Sequence, residues 1–204
     1  MQTKIKAMAA IPALFIFSVF IVFVKTVFDY GNFQNLKIAM IFYLLGKLSG
    51  LTGFLLLSLL IFSGDTARFF DKFFGLDRII KLQRKFALFT MFFVLAHPIF
   101  FILSSKSILP YIIPNFSVIP LALGIISLYI FIIVIIASKI YKRISYNVWQ
   151  YIHALTYIHF FFSLYHAFNW GSDSGAWPIS VIYLILLIVI ITGVIYRANY
   201  KLKQ

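Results

Sequence analysis

The sequence predicts an all-α membrane protein, a bundle of six transmembrane helices with both termini in the cytoplasm. Three observations carry this. First, 63% of the 204 residues are apolar and 11% are charged, against about 25% charged in an average soluble domain. So much apolar surface has no place in water, which excludes a soluble globular chain and a disordered one. Second, the apolar residues fall into six runs, each near the length of about 20 residues that crosses a bilayer as a helix. Third, the basic residues alternate between sides. Fourteen (Lys4, Lys6, Arg68, Lys72, Arg78, Lys81, Arg84, Lys85, Lys139, Lys142, Arg143, Arg197, Lys201 and Lys203) fall on one side, and four (Lys25, Lys37, Lys47 and Lys106) on the other. The richer side is the cytoplasmic one.

The expected spans are 8–28, 39–63, 85–104, 117–138, 147–168 and 178–196, within a single domain covering 1–204. The first run follows Lys4 and Lys6 as a signal peptide would. It is long and has no clean small-residue cleavage site, so it reads as a retained span. In the second, Gly46, Gly50 and Gly53 form a small-residue face. Close helix packing is the ordinary reading, and clearance for a flat macrocycle is the functional one. Lys47 beside them is expected to snorkel to the headgroups rather than meet an acidic group of a ligand. Between the second and third spans, 64–85 alternates Phe69, Phe70, Phe73, Phe74 and Leu76 with charges. That pattern reads as an interfacial helix on the cytoplasmic surface, with a plain basic loop as the alternative. The outer connections carry Pro110 and Pro114, then Trp170 and Trp177 as interfacial anchors.

The net charge of +13 belongs to these flanks and not to nucleic-acid binding. With no cysteine, the chain has no disulfide, thiolate metal site, iron–sulfur ligation or covalent haem attachment. There is no Glu, and the five Asp lie at helix ends or in loops of the expected fold. Carboxylate proton relays and paired-carboxylate hydrolysis therefore lack their parts. No Ser–His–Asp grouping or phosphate-cradling glycine loop is present. Histidine remains. His97 lies in the third span and His153, His159 and His166 lie in the fifth. Polar side chains at membrane depth are costly and rarely idle.

Spacing limits what the histidines hold. His153 and His166 are 13 residues apart, about 19.5 Å along a helix. That is too far for one metal ion and suitable for two haem levels stacked across a bilayer. His159 and His166 are seven apart, about 10 Å, too close for two haem planes, so only one of them is expected to be axial. A zinc path would add Asp, Glu or Cys to imidazole, and these helices offer none. A haem needs neutral imidazoles, an apolar aromatic pocket and a few cations, all of which the chain supplies.

The stretch GLDRIIKLQRKFALFTMFFVLAHPIFF, and Trp149, His153 and His166 in the pattern W-x3-H-x12-H, resemble helices three and five of the ferric reductase-like transmembrane domain. NADPH oxidases, ferric reductases and the haem-binding membrane subunit of the bacterial methionine sulfoxide reductase system share that domain. The resemblance implies paired His ligands for stacked b-type haems. On that pattern His97 and His166 clamp an outer haem b. His153 is the inner ligand, and its partner position holds Gln83, which puts a second haem in doubt. Depth arithmetic from a third span beginning at Lys85 pairs His97 with His159 instead, a conflict that an earlier start near Asp77 would remove.

The resemblance further implies a haem-binding membrane subunit of an oxidoreductase system. Electrons would enter from a cytoplasmic flavoprotein reductase or a quinol and leave to an acceptor on the outer side. The chain ends at Gln204, so flavin is expected only through a partner. The expected location is the cell membrane, as a multi-pass protein of a bacterial inner membrane. A small His-gated proton or metal-ion transporter without haem is the competing reading.

Overall fold

Five long helices and two short ones make up the computed structural model, which describes residues 37–175 and 177–202. The expected span 8–28 lies outside them. In order the helices are α1 (Ile38–Asp65), α2 (Ala67–Phe74), α3 (Leu76–Ser105), α4 (Leu109–Ile112), α5 (Ile119–Lys139), α6 (Tyr146–Trp170) and α7 (Trp177–Leu202). A 3-10 turn, Tyr141–Arg143, joins α5 to α6. No strand occurs among the described residues. Four helices, Ile38–Asp65, Leu76–Ser105, Ile119–Lys139 and Ile179–Tyr200 within α7, are long and apolar enough to cross a membrane. α6 has 25 residues, about 37 Å. It has the length but not the apolarity, because it carries three His, four Tyr and the polar Asn147, Gln150, Thr156 and Ser163.

The third span starts earlier than its apolar run. Gly75 adopts φ +79, a left-handed value that a side chain resists. There α2 ends and α3 begins at Leu76, nine residues before the expected Lys85. Its first turns, LDRIIKLQRK, are charged yet helical. Charged residues such as Lys and Arg are good helix formers, and hydropathy alone cannot see a helix that leaves the apolar layer. α2 is amphipathic, with the expected Phe/charge alternation and no buried residue.

Two antiparallel pairs build the bundle. α1 lies on α3, where Gly46 faces Phe101, Gly50 faces His97 and Gly53 faces Val94. The glycine face is a packing face, as small residues are in membranes. α5 lies on α6, where Gly124 faces His166 and Ser127 faces His159. A core of Phe54, Leu57, Phe160, Tyr183 and Leu186 joins α1, α6 and α7. Phe54 stacks on Phe160 at 5.3 Å and meets Tyr183 edge-on at 5.6 Å. The outer surface is apolar, with Leu88, Phe92, Ile133 and Ile188 all exposed. The interior holds Ser49, Ser58, Thr90, Ser127 and His159. This polarity suits lipid as the solvent: hydroxyls turn inward, and Ser58 and Thr90 bond carbonyls one turn back in their own helices.

The expectation that no helix carries a buried carboxylate is corrected at Asp65. It is the last residue of α1, and its side chain is 2% exposed. Its Oδ1 accepts from the Tyr157 hydroxyl at 2.6 Å and from Arg197 Nη1 at 3.1 Å. The three residues come from α1, α6 and α7, an arrangement that no local sequence pattern reveals. Gly193 of α7 packs against Phe62 and Asp65 and allows the approach.

Candidate functional site

Helices α1, α3, α5, α6 and α7 enclose a cavity of about 450 Å³, within the range of cofactor sites. At one end it meets the surface beside Trp170, Gly171 and Ser172, all exposed. At the other it reaches Leu57, Ser127 and His159, all buried. His97 and His166 face each other across it, their ring centroids 6.2 Å apart and their planes at 80°.

Each imidazole is held from behind. His97 Nδ1 lies 2.8 Å from the carbonyl oxygen of Gly46, and His166 Nδ1 lies 2.9 Å from that of Pro120. A carbonyl only accepts, so in both rings Nδ1 carries a hydrogen and donates it, and in the neutral ring Nε2 keeps its lone pair. Neither Nε2 is hydrogen-bonded among the described residues. Backbone fastening of the far nitrogen is how metal-binding histidines are oriented. Glycine permits it on both sides. A Cβ at Gly50 would lie 2.5 Å from His97 Nδ1, and one at Gly124 would lie 2.6 Å from His166 Nδ1.

His97 and His166 would hold a metal ion between them. A metal–imidazole bond is about 2.0–2.1 Å and the ring centre lies about 1 Å behind the nitrogen, so two imidazoles sharing one ion hold their centroids about 6 Å apart. The observed 6.2 Å matches. The surroundings are aromatic, with Phe101 edge-on to His97 at 5.0 Å and stacked on Tyr111 at 6.2 Å. Among the described residues no three His, Cys, Asp or Glu gather as a metal site of their own. The donor set is therefore two neutral imidazoles in an apolar slot, which is the chemistry of a b-type haem site.

The family described as ferric reductase like transmembrane component matches residues 49–164, more than half of the chain. The chain belongs to that family. It is an integral membrane protein of the ferric reductase-like class, whose role is electron transfer across a membrane. The match includes His97, His153 and His159 and stops two residues short of His166. The approach of His166 to His97 is thus a finding of the fold itself. No curated protein and no solved structure matches the chain.

The start of α3 at Leu76 removes the depth conflict in this ferric reductase-like chain. His97 lies 21 residues past the first residue of α3, and His166 lies 20 past the first of α6. His159 lies 13 past it, at a different level. It is 2% exposed and stacks on Phe131 at 5.0 Å. Ser127 Oγ lies 2.5 Å from His159 Nδ1, 2.6 Å from Ser163 Oγ and 3.1 Å from the His159 carbonyl. Ser127 donates to that carbonyl, and its oxygen shares hydrogen bonds with His159 Nδ1 and the Ser163 hydroxyl. His159 Nε2 is buried and has no hydrogen-bond partner among the described residues.

The inner residues are not brought together. His153 is exposed and stacks on Trp149 at 4.9 Å, contrary to the expectation that all four histidines are buried. Gln83 donates from Nε2 to Ser63 on α1 at 3.4 Å. Lys47 Nζ lies 2.6 Å from Asp173 Oδ1 at the rim of the cavity, an ion pair that the sequence reading did not include. Sequence reasoning missed Asp173, Gly124 and Ser127. For Gly124 the available signal was a lone glycine in an otherwise large-residue span.

Proposed function

We propose that the chain holds one noncovalent haem b between His97 and His166 and carries electrons through it across the membrane. The reading includes six spans with both termini in the cytoplasm, in the cell membrane. It includes a donor on the cytoplasmic side, a flavoprotein reductase or a quinol, and an acceptor on the outer side. The observation that carries it is the facing His97–His166 pair, with both Nδ1 atoms fastened to backbone and both Nε2 lone pairs free. When bound, the haem supplies one-electron chemistry at low dielectric. The protein's own part is mechanical and electrostatic. Gly46 and Pro120 fix the tautomers, Gly50 and Gly124 seat the rings, and the aromatic wall excludes water.

No second haem is assigned to His153, since Gln83 is turned to Ser63 and no facing imidazole exists there among the described residues. The test is optical. Protein purified from cells with ample haem should show a low-spin Soret spectrum and about one haem per chain, since two imidazoles complete the axial set. A colourless preparation from such cells would refute the reading and leave the His-gated transporter in its place.

A further inference from the structure

At the exposed end of the cavity two side-chain contacts join α1 to the connection between α6 and α7. Asp173 lies in the connection between α6 and α7, and Lys47 lies on α1 beside Gly46, whose carbonyl anchors His97. Their charged atoms are 2.6 Å apart, and the side chains are 11% and 18% exposed. Next to them the Tyr43 hydroxyl donates to Ser172 Oγ at 3.3 Å, and Lys47 Nζ sits 5.6 Å over the Tyr43 ring. All four residues line the cavity. The connection is therefore held to α1 at two adjacent points of the cavity lining.

We propose that the Lys47–Asp173 pair, with Tyr43–Ser172, is a clasp that gates entry from the exposed end to the His97–His166 cavity. A partly buried ion pair is stronger than one on an open surface, and losing one partner strands the other charge. A short connection tied at two points moves as a unit when the ties are cut. The clasp itself stands on geometry alone. That the molecule it admits is a small electron acceptor rests on the proposed electron-transfer reading.

The chain has no native cysteine, so Leu121→Cys, on the cavity wall, is a unique reporter, with Leu128→Cys as a second. The full-length protein in detergent is treated with the neutral reagent N-ethylmaleimide. Lys47→Met and Asp173→Asn should each speed labelling by about tenfold or more, as expected for loss of a buried pair. Lys47→Arg and Asp173→Glu, which keep the pair, should label slowly. Unchanged rates in Lys47→Met and Asp173→Asn at both reporters would overturn the clasp, as would fast labelling in both charge-keeping variants.

A second measurement follows Soret reoxidation of the dithionite-reduced protein by ferricyanide. A gate predicts acceleration in both Lys47→Met and Asp173→Asn. A merely electrostatic role predicts opposite changes, because one variant removes a cation and the other an anion. Opposite changes would likewise overturn the clasp. A colourless protein with the expected labelling pattern would refute the haem reading and leave the gate standing.

Discussion

At the level of single residues, the site depends on two glycines as much as on two histidines. A methyl group at Gly50 or Gly124 would meet an imidazole nitrogen at 2.5 or 2.6 Å, so the ring must leave its place. We expect Gly50→Ala and Gly124→Ala to give a high-spin spectrum or lost haem, as His97→Ala and His166→Ala should, because each removes an axial ligand. A normal low-spin spectrum in both glycine variants would contradict the seating described above. His159 behaves differently. Its Nδ1 is committed to Ser127 and it lies two turns from His166. His159→Ala should keep the low-spin spectrum and lower stability by about 1–3 kcal/mol, the cost of stranding buried hydroxyls. Thermal unfolding in detergent with parallel spectra separates the two effects. Loss of the low-spin spectrum in His159→Ala with its retention in His166→Ala would reverse the ligand assignment.

At the level of elements, α7 is held by its apolar contact with α1 and by one polar knot. Asp65, Tyr157 and Arg197 tie three helices together, and Asp65 Oδ2 is buried without a hydrogen-bond partner among the described residues. Arg197→Met leaves that carboxylate with the Tyr157 hydroxyl alone, whereas Asp65→Asn removes the charge and keeps the shape. Breaking a buried pair on one side costs about 3–5 kcal/mol, and the partial exposure of Arg197 places this case at or below the lower end. We expect Arg197→Met to lower the unfolding temperature more than the double variant Asp65→Asn/Arg197→Met. Equal losses would mean that the pair contributes by packing and not by charge.

At the level of the whole molecule, the distribution of basic residues predicts the orientation. Reporter fusions after Asp173 and at Gln204 should lie on opposite sides of the membrane, with Gln204 inside. Fusions reporting the same side would exclude the six-span arrangement. On that proposed orientation α2 and the basic first turns of α3 would lie toward the cytoplasm, with the aromatic face of α2 at the headgroups. The clasp at Lys47 and Asp173 then closes the outer end of the cavity.

The membrane class and the positions of the described long helices were legible in the sequence, because hydropathy and cation placement are local quantities that lipid acts on directly. The four histidines were legible in the sequence as candidates for the chemistry, since no Cys or Glu is present. Tertiary structure decided the rest. The start of α3 at Leu76 depends on Gly75 turning the chain. Pairing of imidazoles from α3 and α6 depends on α1 and α5 presenting glycines and backbone carbonyls at the right height. Lys47 and Asp173 are 126 residues apart, and Asp65 and Arg197 are 132 apart. Contacts of that kind are set by how helix faces pack, and the composition of a single helix does not contain them.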